Sequence, residues 1–269
     1  MPLANVNGIQ IYYELTGGGE IPIVLVHGAW SSHHTWDAIV PLLAESFRVV
    51  AYDRRGHSQS QRPPGQGSIR EDVADLAALI EHLDLAPAWV VGNSHGALIA
   101  LRLAGQRPEL LRGVSGHEPD LFSLLQDDPA AAQALEEHKG DEEAVLDLIA
   151  SGDHAGGAKL FIEIVTGPGS WEKLPASYQQ TLIHNAPTFL DEERDPENLD
   201  FDPEWVTSFP GPVLLTRGDE SPPIVVPMYA RAAELLPNVE FMTIPGAGHV
   251  PQRLQSQTYV ETLQAFMQL

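Results

Sequence analysis

Val90-Val91-Gly92-Asn93-Ser94-His95-Gly96-Ala97-Leu98-Ile99-Ala100 places one serine between two glycines, where an apolar run of strand length passes into a helical pattern. In G-x-S-x-G a sharp strand-to-helix turn lifts the serine hydroxyl above a sheet, and the small flanking residues avoid clashes with neighbouring backbone. A nucleophile at Ser94 needs a base, an acid that orients the base, and donors for a developing negative charge, all from elsewhere in the chain.

Outward from this stretch, short apolar runs alternate with longer helical patterns, which predicts a mostly parallel twisted sheet with helices on both faces. Strands are expected at Ile9–Glu14, Ile21–His27, Phe47–Asp53, Ala88–Asn93, Leu111–Glu118, Pro212–Arg217 and Val239–Ile244. Ile69–Leu85 repeats apolar residues on one helical face, and Ser68 with Glu71 has the spacing of a capping box. Gly96–Gly105, Val226–Leu236 and Gln257–Leu269 carry similar helical patterns. From Asp120 to Trp205 the strand-like runs vanish. Ala130–Glu137, Glu142–Ser151, Ala158–Val165 and Ser177–Asn185 read as four helices between Gly, Pro and Asp breaks. The organisation expected is a core of residues 1–119 and 206–269 with a helical cap, 120–205, inserted between two strands of one sheet.

The net charge of −22 argues against a nucleic-acid partner, which needs clustered Lys and Arg, and disfavours an anionic membrane. Residues 120–205 hold 20 Asp and Glu against 4 Lys and Arg, so the expected cap is also the acidic part of the chain. Most of that acidity reads as a solvated face. The 269 residues include no cysteine, which removes disulfides, thiolate metal sites and cysteine nucleophiles together. No apolar run reaches membrane-spanning length, and MPLANVNGIQ lacks the basic-then-apolar order of a signal peptide. A cytoplasmic location is expected, with a small-molecule substrate and no nucleic-acid or membrane partner.

Several separate motifs together resemble the α/β-hydrolase superfamily over nearly the whole chain. Besides the serine turn, Val24-Leu25-Val26-His27-Gly28-Ala29-Trp30 is similar to its early His-Gly loop. Tyr52-Asp53-Arg54-Arg55-Gly56-His57-Ser58-Gln59-Ser60 resembles its Asp-x-Arg-Gly turn, with Ser58 where the family often has Gly. Pro245-Gly246-Ala247-Gly248-His249 resembles the late loop that carries the catalytic histidine. The resemblance implies Ser94 as nucleophile and His249 as general base. It makes His27 a support of the oxyanion turn, and gives the N–H groups of His95 and of Ala29, or of the adjacent Trp30, as oxyanion donors. Trp30 is also a candidate substrate-pocket aromatic, and His33, His34 and His57 read as loop or pocket residues.

The acid is displaced. The family's usual Gly-x-x-Asp falls on Gly218-Asp219-Glu220-Ser221, which puts a serine where the carboxylate belongs. Some superfamily members take the acid instead from the end of the strand after the nucleophile helix, and here Gly116-His117-Glu118-Pro119 occupies that place. Glu118 is therefore the preferred acid, with Asp219 and Glu220 as alternatives. The implied activity is cofactor-free, metal-free serine hydrolysis of a carboxylic ester or lactone. Perhydrolase or haloperoxidase-like chemistry, carbon–carbon hydrolysis and a receptor-like binding role are the alternatives.

Overall fold

The computed structural model describes residues 2–267. Its strands are β1 Leu3–Val6, β2 Ile9–Thr16, β3 Ile21–Val26, β4 Phe47–Tyr52, β5 Ala88–Asn93, β6 Leu111–His117, β7 Val213–Gly218 and β8 Glu240–Ile244. They form one sheet in the order β1-β2-β4-β3-β5-β6-β7-β8. The pairs β1–β2 and β2–β4 are antiparallel, and every later pair is parallel. Asn7 and Gly8, both at positive φ (47° and 79°), turn β1 back onto β2. That is the Asn-Gly hairpin chemistry expected of a two-residue loop, and it adds a short edge strand absent from the sequence-based assignment.

Ten helices are present among the described residues: α1 Val40–Leu43, α2 Ile69–His82, α3 His95–Gln106, α4 Ala132–Ala150, α5 His154–Thr166, α6 Ala176–Arg194, α7 Glu204–Thr207, α8 Val225–Leu235, α9 Pro251–Leu254 and α10 Ser256–Phe266. The end of the expected Gln257–Leu269 helix, residues 268 and 269, lies outside the described residues. Alternation along the strands supplies both faces of the sheet. Val24, Val26, Val50 and Val90 pack with α2, α3 and α8, whereas Ile23, Leu25, Val49 and Val91 pack with α1 and α10.

Between β6 and β7 there are three long helices where four are expected. Gly140 stands in open space inside α4, so the helix continues through it at a cost of about 1 kcal/mol relative to Ala. Likewise α6 runs on past Asn185 and through Pro187 to Arg194. Val145, Ile149, Ala158, Leu182, Ala186 and Phe189 of these helices bury one another around Trp30. Both ends of the segment return to the main core. Leu121, Leu125 and Phe201 are part of it, and Trp205 packs on Gly105 of α3, where a Cβ would meet its ring.

The start of α2 differs from a capping box. Ser68 Oγ donates to Glu71 Oε2 at 3.2 Å and leaves the backbone uncapped. The first N–H, of Ile69, instead donates to Asp195 Oδ2 at 2.8 Å, just beyond α6. A carboxylate at a helix N-terminus is favoured by the positive end of the dipole, so a residue 126 positions away does the work of a local cap. Asp195→Ala is expected to lower stability by about 1 kcal/mol, read as a lower urea midpoint at unchanged m.

Candidate active site

Ser94 follows β5 directly and takes φ 54°, ψ −127°, a conformation that costs a non-glycine residue roughly 1–3 kcal/mol. The surroundings hold it there. A Cβ on Gly96 would lie 2.3 Å from the Val26 carbonyl oxygen, and one on Gly92 would lie 2.5 Å from Ala97 backbone. The two glycines therefore let α3 start against β3 and let the turn close on itself. The N–H of Ser94 donates to His117 O at 2.8 Å, tying the turn to β6.

Glu118 terminates β6, also at positive φ (47°), with its backbone N–H donating to Thr216 O at 2.9 Å. Its Oε1 accepts from Gly218 N at 2.9 Å and from the Ser221 hydroxyl, and its Oε2 lies 2.7 Å from His249 Nδ1. Ser221, at the position where a carboxylate is usual in the resembled family, thus donates to the carboxylate that stands elsewhere. Asp219 accepts the N–H of Gly246 at 2.7 Å, and the N–H of Glu220 donates to Ala247 O at 2.9 Å, so both brace the loop that precedes His249.

That loop is held from three further sides. Asn93 Nδ2 donates to His249 O at 3.0 Å, and Gln252 Nε2 donates to Asn93 Oδ1 at 3.1 Å. His117 is buried, with Nε2 3.1 Å from Gly248 O and Nδ1 2.9 Å from Thr216 Oγ1. A carbonyl can only accept, so the His117 proton is on Nε2 and the ring is neutral, in keeping with burial driving its pKa down to about 4. Asn93, His117 and Gln252 carry no local sequence signal for this role.

The electrostatics of the central pair are one-directional. Burial alone would raise the Glu118 carboxyl, but the hydrogen bond and charge of His249, together with His117 and Ser221, bring it down to about 2. Burial disfavours a charged His249, yet Glu118 and the nearby Asp120 outweigh it and hold the imidazole above its ordinary value.

Next to Ser94 the structure adds a residue that the sequence analysis did not single out as part of a site. Ser94 Oγ donates to Asp120 Oδ1 at 3.2 Å, its one hydrogen bond among the described residues. Asp120 Oδ2 lies 3.5 Å from His95 Nδ1. The N–H of His95 opens α3, and neither it nor the N–H of Ala29 is engaged among the described residues. His27, fully buried, accepts the Arg54 N–H on Nε2 at 3.0 Å and therefore donates from Nδ1 to Gly28 O at 2.8 Å. Burial and the Arg54 charge lower its pKa to about 3, so it is a neutral prop for this loop.

Ser94, His249 and Ala29 face a cavity of about 710 Å³ whose apolar wall includes Phe122, Phe161, Phe189 and Met228. A second hollow of about 420 Å³ begins at the same three residues and extends towards Tyr178 and Leu182. Trp30 lines neither. It is fully buried behind the wall, stacked on Phe161 at 5.0 Å between ring centres. His33 is held by Asp53, and exposed His34 pairs with Asp37. His57 lies against Arg54 and Thr188.

Residues 21–253 match the family described as alpha/beta hydrolase fold. The chain belongs to that family. Among curated relatives, the uncharacterized hydrolase YraK of Bacillus subtilis (strain 168) is 37% identical over 122 residues, 45% of each chain. The soluble epoxide hydrolase of Corynebacterium sp. (strain C12) is 33% identical over 108 residues, 40% of this chain and 37% of that protein. Neither alignment reaches half the length of the relative. Est816, described as an N-acyl homoserine lactone degrading enzyme, superposes with a TM-score of 0.76 at 24% identity, covering 98% of this chain and all of that one. Such a likeness identifies the same alpha/beta hydrolase architecture.

An NMR titration of His249 is expected to give a pKa above 6.5 in the wild type and below 6.5 in Glu118→Gln, where burial acts without the compensating charge. A wild-type value at or below 6.5 would contradict the pairing. Glu118 itself has a depressed pKa, so its contribution to stability is present above about 4.5 and disappears as the pH falls towards 2.

Proposed function

We propose that the protein is a cofactor-free serine hydrolase that cleaves a carboxylic ester or lactone through an acyl-enzyme on Ser94. The observation that carries this reading is the 2.7 Å contact between Glu118 and His249 Nδ1, with His249 and Ser94 facing one cavity. With Nδ1–H held by Glu118, Nε2 presents a lone pair, the tautomer a general base requires. In the reacting complex the Ser94 hydroxyl turns from Asp120 to that nitrogen.

His249 then accepts the serine proton as Oγ attacks the carbonyl carbon, and the oxygen gains the negative charge. The N–H groups of Ala29 and His95 are free to receive it. Collapse expels the alkoxide, which takes the proton from His249; in a lactone it remains tethered as a hydroxyl on the acyl chain. Water, deprotonated by the same imidazole, attacks the acyl-enzyme and returns Ser94. The two hollows that meet at Ser94 suit the acyl and alkoxy parts. In this reading residues 120–205 act as the cap that forms most of the cavity wall, with Phe161 backed by Trp30.

Hydrolysis through a carboxylate ester intermediate, as in epoxide opening by an Asp nucleophile, is not supported, because Ser94 stands at the elbow. Ser94→Ala is expected to abolish hydrolysis of short-chain esters and lactones and labelling by a fluorophosphonate. Glu118→Gln should reduce kcat by about 10⁴, the scale for losing the orienting acid of a triad, whereas Asp219→Asn should stay within a few-fold of wild type. A large loss in Asp219→Asn with an active Glu118→Gln would reassign the acid.

A further inference from the structure

Besides Glu118, the cavity around Ser94 is lined by Asp120, Glu142, Glu192 and Glu193 and, among the described residues, by no Lys or Arg. Two of these carboxylates are answered within the protein. Glu192 pairs with the buried guanidinium of Arg54, and Glu142 with His138 at 3.1 Å. Among the described residues Glu193 accepts from Asn198 alone, at 3.1 Å, and burial with the charges of Glu142, Glu192 and Asp120 raises it to about 8, so near neutral pH it adds little charge. Asp120, with 18% of its side chain exposed, has the Ser94 hydroxyl and the distant His95 ring.

The Ser94 bond is temporary by necessity. When Oγ turns to His249 and attacks, Asp120 loses its donor while still largely buried, and an unpaired buried carboxylate is costly. His95 is an independent sign of a missing partner. Its ring is 2% exposed and lines the same cavity, and its Nε2 has no partner among the described residues. Its Nδ1 lies 3.5 Å from Asp120 Oδ2, too far to replace the Ser94 donor. The wall beside the reacting carbonyl thus presents the Asp120 carboxylate without a lasting donor, next to an apolar wall that suits an alkyl chain.

We propose that Asp120 is the specificity-determining residue of this site and selects esters or lactones that carry a protonated amine near the scissile carbonyl. The inference rests on the serine-hydrolase reading for the identity of the scissile bond, but the preference for an N–H cation is a property of the cavity and is measurable without turnover. A bound ammonium would give Asp120 the donor that Ser94 withdraws, so the preference belongs to the reacting complex as well as to binding.

The test uses isosteric pairs in which N–H⁺ replaces C–H. For hydrolysis, followed by pH-stat at pH 7.5, methyl 4-(dimethylamino)butanoate is compared with methyl 5-methylhexanoate, and 2-(dimethylamino)ethyl butanoate with 3-methylbutyl butanoate. For binding, calorimetry compares the N-methyl amides of the first two acids. We expect kcat/KM at least tenfold higher for the amine in one ester pair, and an amine amide that binds at least tenfold tighter. In Asp120→Asn the amine-to-alkyl ratio should fall several-fold, whatever happens to the absolute rates. Ratios near one in wild type for both ester pairs and for the amides would overturn the proposal while leaving ester hydrolysis intact. An amide preference lost in Asp120→Asn, with no ester cleaved and no labelling of Ser94, would instead support the cation site and reject the hydrolase reading.

Discussion

The site depends on where one carboxylate is held. Glu118 stands at the end of β6 at positive φ, fixed by Gly218 N, the Ser221 hydroxyl and the backbone contact to β7 before His249 is reached. Its geometry therefore belongs to the centre of the sheet and not to a mobile loop. Because two of its partners are donors and the third is an imidazole, all favour the ionised form, which is why burial fails to raise its pKa. His249 inherits its orientation from this carboxylate, and its proton affinity follows. The same argument accounts for Ser221. A second carboxylate at that position would set two negative charges side by side, whereas a hydroxyl completes the shell.

Around this pair, rigidity comes from close backbone approach and neutral props. Gly92 and Gly96 permit contacts that any Cβ would block, and they trap Ser94 in a conformation it would otherwise leave. His27 and His117 are kept uncharged by burial, so each donates to a loop carbonyl without adding charge near Ser94. The strained serine turn, the His27–Gly28 loop and the His249 loop are thereby fastened to the C-terminal ends of neighbouring parallel strands, where such folds place their ligands.

How much of this the sequence disclosed follows from the range of the interactions. The parallel strands were legible because burial on both faces makes them near-continuous apolar runs, while four-residue β1 was too short to register beside its own Asn-Gly turn. Glu118 could be singled out because a serine at residue 221 left the common position empty of charge. Asp120 could not, since its contact with Ser94 exists only once β5 and β6 are paired. For the same reason Ser68 and Glu71 had the spacing of a cap, although the N–H of Ile69 was satisfied from beyond α6. Gly140 and Pro187 read as breaks because helix propensity is local, and packing of α4 and α6 around Trp30 overrides it.

The acidity of residues 120–205 reads from composition as a solvated face, and much of it is exposed. The folded chain nevertheless turns several of these carboxylates inward. Asp195 serves α2, Glu192 meets Arg54 from the core, and Asp120, Glu142 and Glu193 face the cavity. Each inward charge requires a counter-charge or a donor, or it is driven to protonate. Arg54 illustrates the cost of meeting that requirement. Fully buried, it lies between Glu192 and Asp72, at 3.7 Å from the latter, and burial still pushes Asp72 up to about 6. One guanidinium cannot answer the negative charge on both sides of it, and among the described residues no Arg or Lys lines the cavity. Electrostatic balance beside Ser94 is therefore incomplete in the free protein, and a ligand that brings its own positive charge is the partner this arrangement accepts with least reorganisation.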